Sequence, residues 1–265
     1  MCVIAICQTR TLRWAETQAM DAANPDGIGV AWINPKDGLV EYVKGLDAPS
    51  AQSLIDRLPL PQVVHFRWAS AGGTSPMLSH PFPLTEAPPI GLVGAAPAVL
   101  FHNGHWTGWE RGLDAIRAAG EYVDPSEPWS DTRVMAVLAT LHSPHAVSQI
   151  VGSGQRLAVL HGDGRVWTAG TYHKHEGLLV SNLWWVPRPP VIGDDDEDDV
   201  DWSEAEDEAR DVPPPPPAMR RARRVRAKAK PRAQATQMFL AQVPQAARRY
   251  FPPVPRPTSP SRRRG

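Results

Sequence analysis

The chain has 265 residues, a formal net charge of zero and 42% hydrophobic residues, which is enough to bury the core of one good-sized domain or two small ones. Along one strand, at about 3.3 Å per residue, Cys2 and Cys7 would lie roughly 16 Å apart, beyond the roughly 7 Å reach of a disulfide. No His/Cys cluster has metal-site spacing, and no apolar run approaches the roughly 18 residues of a membrane span. We therefore expect a cytoplasmic protein without a disulfide, metal or cofactor.

The order of predicted elements favours an α+β fold with antiparallel sheets, because strands and helices come in blocks rather than in regular alternation. Residues 68–97 are predicted to form a long loop or a pair of loops, of a length that is usually functional inside a compact domain. Hydrophobic periodicity predicts strands at 2–7, 28–33, 39–43, 62–66, 98–102, 156–161, 165–169 and 178–182. Helices are predicted from a cap at Thr9 or Thr11 to about Ala23, from Ser50 to about Leu58, and at 109–119, 131–142 and 145–151.

The C-terminal segment has a different composition. Residues 194–211 are mainly acidic, 213–217 are five consecutive prolines, and 220–232 are rich in Arg and Lys. Such charge blocks and prolines cannot build a core, so we expect a folded domain at 2–190 and a disordered tail at 191–265. The tail could contact nucleic acid or an acidic protein, or dock its prolines in an SH3-like groove; an inert solubilising tail is the alternative.

Cys2 is the first residue whose chemistry points to a function. Removal of Met1 would leave Cys2 with a free α-amine beside its thiol, and an α-amine with an ordinary pKa near 8 suits a general base. The thiolate is a strong nucleophile. The alternative interpretation is a small core cysteine on a first strand.

Two further motifs surround predicted strand ends. Asn24-Pro25-Asp26-Gly27-Ile28-Gly29 is an ordinary turn by composition, but its glycines would also allow close backbone approach to a nucleophile or ligand. In His65-Phe66-Arg67-Trp68-Ala69-Ser70-Ala71-Gly72, a strand presents Arg67 at the start of the long loop that leads to His80-Pro81-Phe82. The Arg67 guanidinium could capture a carboxylate with two hydrogen bonds, or be a surface arginine.

The last two motifs have common structural explanations. Phe101-His102-Asn103-Gly104 contains the commonest two-residue hairpin turn, yet the Asn103 amide and the Gly104 N–H could also form an oxyanion hole. Ser130-Asp131-Thr132 is typical of a helix N-cap, and Asp131 could alternatively hold the ammonium group of an amino-acid substrate.

Together and in this order, the motifs resemble those of class II glutamine amidotransferases over about residues 2–185. The resemblance implies an N-terminal-nucleophile hydrolase with a four-layer αββα sandwich. It implies Cys2 as nucleophile with its own amine as base, and Asn103 and Gly104 as the oxyanion hole. It implies substrate binding by Arg67 at the glutamine α-carboxylate, Asp131 at the α-ammonium, and by Gly27, Ser70 and His80. The chain departs from the family at Ser70, where Thr is commoner, and at His105-Trp106-Thr107-Gly108.

The expected reaction is the glutaminase half-reaction, in which Cys2 releases ammonia from the glutamine side chain through a glutamyl thioester. An ammonia-accepting synthase, if there is one, would be a separate protein. One alternative is an amidase that acts on another γ-glutamyl compound. Another is a degenerate domain that serves as an adaptor through its charged tail.

Overall fold

Two antiparallel sheets and five α-helices make up the fold in a computed structural model, which describes residues 2–69, 73–120, 123–124 and 126–187. The described residues through Val186 belong to one compact unit. Met1, Ser70 and the predicted tail at 191–265 lie outside the described residues, so the inferences about them remain predictions. Within the described part of the chain, no helix is both long enough and apolar enough to cross a membrane.

The elements follow the predicted order, with additions in the loops. The strands are β1 (Val3–Cys7), β2 (Ile28–Ile33), β3 (Val40–Leu46), β4 (Gln62–Phe66), β5 (Phe82–Pro83), β6 (Val93–Ala96), β7 (Ala98–Asn103), β8 (Arg156–His161), β9 (Val166–Ala169), β10 (His173–His175) and β11 (Leu178–Val180). The helices are α1 (Trp14–Ala23), α2 (Ala48–Ile55), α3 (Trp109–Ala118), α4 (Asp131–Leu141) and α5 (Pro144–Val151), and one 3-10 turn covers Pro76–Leu78.

The strands pair in two sheets, and every pairing is antiparallel. The larger sheet has the order β10-β11-β1-β4-β2-β3-β6, and the smaller one has the order β5-β7-β8-β9. The antiparallel α+β class predicted from the order of elements is thus confirmed. Strands that are adjacent in sequence pair as hairpins, such as β2 with β3. Other pairings join strands far apart in sequence, since β1 pairs with β4 and with β11.

Three buried clusters divide the core. One joins the larger sheet to α1 and α2, through residues such as Val30, Met20 and Leu54. A second joins the smaller sheet to α3, α4 and α5. The third lies between the two sheets, where Ile4 and Phe101 belong to one cluster. Each sheet is therefore buried on both faces, which explains the near-continuous apolar runs in its central strands.

Two predicted caps are wrong. Helix α1 begins after Arg13, not near Thr9 or Thr11, because the Glu16 carboxylate accepts a hydrogen bond from the Arg13 backbone N–H (2.7 Å). Helix α2 is capped by Asp47, whose carboxylate accepts from the backbone N–H of Ser50 (3.0 Å). The predicted Ser130 cap of α4 is confirmed, since its hydroxyl accepts from the Arg133 N–H.

The segment at 68–97, predicted as a long loop or a pair of loops, contains two short strands. It contains β5 and β6, which pair with β7 and β3 at sheet edges. Strand β10 was likewise not predicted from the sequence. Their sequences are short or contain glycine and polar residues, so pairing with an existing sheet, rather than local pattern, gives them strand structure.

Candidate active site

Cys2 immediately precedes β1 and lies beside the C-terminal end of β4. The pairing of Val3 with Phe66 carries Cys2 alongside Arg67 and Trp68. The Cys2 Sγ accepts a hydrogen bond from the Trp68 backbone N–H (3.3 Å) and lies 3.4 Å from the Trp68 carbonyl oxygen, to which the thiol donates. The main chain of Trp68 therefore holds the thiol through two hydrogen bonds.

The two cysteines occupy opposite faces of the first strand, as their odd separation predicts. Cys7 packs with Val3 and Ala5 against the core of α1 and α2. Ile4, which shares the parity of Cys2, belongs to the core between the sheets. Both thiols are free, so no disulfide links the two positions.

Burial sets the protonation state of the Cys2 thiol. The side chain is 8% exposed, and loss of solvation raises its pKa above the ordinary value. The hydrogen bond from Trp68 and the positive charge of Arg67 act in the opposite direction without reversing the shift. A thiol in this environment stays protonated near neutral pH until a base removes its proton.

A small cavity of about 20 Å³ opens beside the thiol. It brings together five of the predicted site residues: Cys2, Arg67, His80, Gly104 and Asp131. Its other lining residues are Trp68, Leu78, His102, Ser130 and Thr132. Two predicted site residues, Gly27 and Asn103, are not among the lining residues.

Arg67 supplies the positive charge of the cavity. It is buried, and its guanidinium donates hydrogen bonds to the carbonyl oxygens of Gly73 (2.6 Å) and Ser75 (3.4 Å). Burial lowers its pKa, while the neighbouring thiol and the carboxylates of Asp26 and Asp131 raise it. Gly27 acts on Arg67 rather than on the cavity, because its carbonyl oxygen accepts from the Arg67 backbone N–H (3.0 Å).

Asp131 supplies the negative charge, at the first residue of α4. The carboxylate accepts from the backbone N–H of Thr132 at Oδ1 (2.7 Å) and from that of Trp106 at Oδ2 (3.2 Å), and the Thr132 hydroxyl lies 3.3 Å from Oδ1 as a third donor. A carboxylate has about four acceptor positions, so room remains for a ligand ammonium. The helix N-terminus adds favourable positive potential to the buried charge.

Strand β7 ends at Asn103, and the next residue, Gly104, lines the cavity. The Asn103 side-chain amide donates one hydrogen bond to the Ser181 hydroxyl (2.9 Å), and its buried oxygen has no partner in the described part of the chain. One of its two amide hydrogens is thus directed at Ser181 rather than at a ligand. Gly104 has φ +151° and lines the cavity, so its backbone, unlike the Asn103 side chain, lies at the wall.

His80 belongs to a stack of buried histidines. Its ring centroid is 4.0 Å from that of His65 and 6.3 Å from that of His102, and its Nδ1 accepts from the His102 backbone N–H (3.3 Å). Burial lowers the pKa of His80 well below the ordinary value. An uncharged ring with an occupied Nδ1 makes His80 part of the cavity wall, with little capacity to bind a charged group.

Three residues that hold the site were not predicted from the sequence. Trp68 brackets the thiol through its backbone, Asn182 donates to the Cys2 carbonyl oxygen (2.7 Å), and Gln155 contacts His102 Nε2 (2.8 Å). Each follows from strand pairing. The β1–β4 register brings Trp68 to Cys2, and the β7–β8 register brings Gln155 to Gly104.

One cluster among the described residues has ligand atoms at metal-binding separations, and it lies in Glu16, His175 and Glu176. Arginines already occupy the neighbourhood of both carboxylates. Arg10 pairs with Glu16 (2.6 Å), and Arg13 pairs with Glu176. The positive charge that a cation would bring is therefore supplied by side chains, and the cluster fits a surface ion-pair network.

No family model matches this sequence, and no curated protein matches it. Among solved structures, the fold is similar to glutamine phosphoribosylpyrophosphate amidotransferase from B. subtilis complexed with ADP and GMP, at 12% identity and a TM-score of 0.47. It is also similar to the allosteric regulatory enzyme of purine biosynthesis, at 14% identity and a TM-score of 0.46. Each match covers 68% of this chain and 41% of the other, so this chain spans about two fifths of the length of those structures.

Proposed function

We propose that this protein hydrolyses the side-chain amide of glutamine, as the glutaminase half-reaction of a glutamine amidotransferase. The observation that carries the proposal is the grouping of a nucleophile, a cation and an anion in one cavity: the Cys2 thiol, the Arg67 guanidinium and the Asp131 carboxylate. Glutamine carries an electrophilic amide at one end and an α-carboxylate and α-ammonium at the other. The charge pair matches the second end, and the thiol matches the first.

The first step of the proposed reaction is attack by Cys2. Removal of Met1 frees the α-amine of Cys2, which takes the thiol proton as the sulfur attacks the amide carbon. A tetrahedral intermediate forms, with negative charge on its oxygen. Gly104 lines the cavity and offers a backbone N–H to this oxygen. The Asn103 side chain does not line the cavity, so in this scheme its amide turns from its position beside Ser181 to supply the second hydrogen bond.

Collapse of the intermediate breaks the carbon–nitrogen bond. The leaving nitrogen takes the proton from the α-ammonium of Cys2 and departs as ammonia, which leaves a glutamyl thioester on the sulfur. Water then attacks the thioester with the amine again as base, and glutamate and the free thiol are released. The raised pKa of the thiol is consistent with this scheme, because a protonated resting thiol needs a local base.

Trp68 is the lining residue with the most exposed side chain, at 49%. Its backbone holds Cys2 while its indole is about half exposed, so the indole can change its rotamer on substrate binding without displacing the thiol.

The layered core also supports the proposal. Helices α1 and α2, the larger sheet, the smaller sheet and helices α3–α5 are joined by three successive clusters. This arrangement agrees with the four-layer αββα sandwich that the resemblance to N-terminal-nucleophile hydrolases implies. Nucleophile, anion and cation then come from the ends of strands and a helix, as a rigid site requires.

The test compares Cys2→Ala with Cys7→Ala in a glutaminase assay. We expect Cys2→Ala to lower kcat by at least about 1,000-fold, because Cys2 is the only thiol among the described residues that line the cavity, and Cys7→Ala to retain most activity. Intact-mass measurement of the active protein should show that Met1 has been removed. Equal loss of activity in a folded Cys7→Ala variant, or full activity with Met1 retained, contradicts the proposal.

The amidase alternative keeps Cys2 as nucleophile and changes the substrate. Assays of ammonia or amine release from other γ-glutamyl compounds, run beside glutamine, separate the two activities. A protein inactive on every amide, with binding to nucleic acid or acidic protein through residues 191–265, would instead support the adaptor alternative.

A further inference from the structure

Gln155 lies between the oxyanion side and the ammonium side of the proposed site. It precedes β8, and the pairing of Asn103 with Arg156 brings it alongside Gly104. A Cβ added to Gly104 would lie 2.0 Å from Gln155 Oε1, so the Gln155 amide packs directly on the Gly104 backbone. Gln155 does not line the cavity itself, and it reaches the cavity only through its neighbours.

The orientation of the Gln155 amide is fixed by a group that can only accept. Its Nε2 donates to the carbonyl oxygen of His105 (3.1 Å). A flipped amide would set two acceptors against each other, so Oε1 must face the other way, toward His102 Nε2 at 2.8 Å.

This orientation selects the tautomer of His102. An amide oxygen only accepts, so the hydrogen lies on His102 Nε2. Burial lowers the pKa of His102, and the ring is uncharged at neutral pH. Its Nδ1 therefore carries a lone pair, which attracts the single hydrogen of the Thr132 hydroxyl (3.0 Å) away from the other acceptor of that hydroxyl, Asp131 Oδ1 at 3.3 Å.

The selected tautomer matters because His102 Nδ1 is only 3.7 Å from Asp131 Oδ2. In the other tautomer, or in the imidazolium form, the Nδ1–H would be donated to the Thr132 hydroxyl at 3.0 Å, whose own hydrogen would then turn to Asp131 Oδ1 at 3.3 Å and compete with a ligand cation. We infer that Gln155 is a positioning residue, which keeps His102 Nδ1 free of hydrogen and the Thr132 hydroxyl turned away from Asp131, and so reserves that carboxylate for the α-ammonium of the substrate. The inference rests on the proposed function and adds the residue that controls recognition of the amino group.

The test measures selectivity between glutamine and glutaramate, the same amide without the α-amino group. In Gln155→Leu, we expect the ratio of kcat/KM for glutamine to that for glutaramate to fall about tenfold, through the loss of part of one charge-assisted hydrogen bond. Loss of the contact between Gln155 and Gly104 should lower kcat/KM equally for both substrates, so this effect cancels in the ratio. The control is Gln149→Leu, the same change at an exposed glutamine of α5, which should leave the ratio unchanged.

Gln155→Glu is a second variant, and it keeps the inference testable if Gln155→Leu does not fold. A carboxylate cannot donate to the His105 carbonyl and stabilises the His102 imidazolium, whose Nδ1–H then turns the Thr132 hydroxyl toward Asp131. The ratio should fall further than in Gln155→Leu. A variant that only destabilises the structure would reduce kcat/KM for both substrates together and leave the ratio unchanged.

Nitrogen-15 NMR of the full chain reads the tautomer without any substrate. We expect hydrogen on Nε2 of His102 in the wild type, and a mixture of tautomers in Gln155→Leu. An unchanged selectivity ratio in an active Gln155→Leu variant, or a wild-type ring protonated at Nδ1, overturns the inference alone. A wild-type protein inactive on both substrates overturns the proposed function, and the role in substrate recognition falls with it.

Discussion

Lys44 is an ionisable residue in a position where its charge is costly. It lies on β3 with no exposed surface, and its Nζ has no hydrogen-bond partner in the described ranges. The ammonium lies 4.0 Å from the centroid of the Phe82 ring. Burial, followed by the charges of Arg133 and Arg67, lowers the pKa of Lys44 from 10.5 to about 7.

We predict that Lys44→Met raises the free energy of unfolding most strongly at pH 7. The unfolded chain binds a proton at Lys44 up to pH 10.5, whereas the folded chain loses it near pH 7. Between these values wild-type stability rises with pH by about 1.4 kcal/mol per unit. The slope is only half as steep at pH 7 itself, so the advantage of the variant should shrink by about 2 kcal/mol between pH 7 and pH 9.

Urea unfolding of both proteins at several pH values between 7 and 9 measures this difference. Lys36→Met is the matched control, because Lys36 is exposed on the turn between β2 and β3. A constant difference between wild type and Lys44→Met across this range would mean that Lys44 keeps its proton in the folded state.

At the scale of elements, strand β2 packs at Gly29 against the loop that contains His80. A Cβ built on Gly29 would lie 1.7 Å from the His80 carbonyl oxygen and 2.8 Å from its carbonyl carbon. Both are backbone atoms and cannot rotate away. The sequence predicts a close approach at this glycine motif, and its observed partner is the cavity wall at His80.

We predict that Gly29→Ala destabilises the protein by about 3 kcal/mol, because β2 and the His80 loop must separate. Gly154→Ala is the control, since a Cβ there meets nothing within 4 Å. Thermal unfolding of the two variants checks the prediction. Equal midpoints for both variants would show that the loop adapts to the added methyl group.

The main elements were predictable because their signals are local. Strand β2 was predicted at its observed bounds, and the Ser130 cap at the start of α4 was identified from residue type and position. Strand β10 could not be predicted, because His173–His175 is polar and becomes a strand only by pairing with β11. Arg13 was also missed as a cap, since its partner Glu16 acts through the backbone.

The candidate site divides in the same way. Cys2, Arg67 and Asp131 could be proposed from motif resemblance, and the structure brings all three to one cavity. Gln155 carries no local signal, because its place beside Gly104 depends on a pairing between strands about 50 residues apart in sequence. The contact between Asn103 and Ser181 depends likewise on long-range packing.

At the scale of the whole molecule, the stacked histidines join the two sheets. His65 lies on β4 of the larger sheet, His102 lies on β7 of the smaller sheet, and the His80 ring lies next to both. Burial lowers the pKa of His65 to about 3, and also lowers the pKa values of His80 and His102. The folded protein therefore keeps all three rings uncharged where the unfolded chain protonates them.

This difference predicts that the fold loses stability as pH falls below 6.5. The unfolded chain takes up a proton at each histidine near pH 6.5, and the folded chain does not, so stability is present above that pH and declines below it. His65, whose pKa falls to about 3, contributes about 1.4 kcal/mol per pH unit across this range, and the lowered pKa values of His80 and His102 add to the slope.

Urea unfolding between pH 6.5 and 5 measures the slope, before most carboxylates titrate. His65→Leu should lower the slope by about 1.4 kcal/mol per pH unit, whereas His145→Leu, at an exposed position of α5, should leave it unchanged. A slope that His65→Leu does not reduce would place the acid sensitivity outside the interface between the sheets.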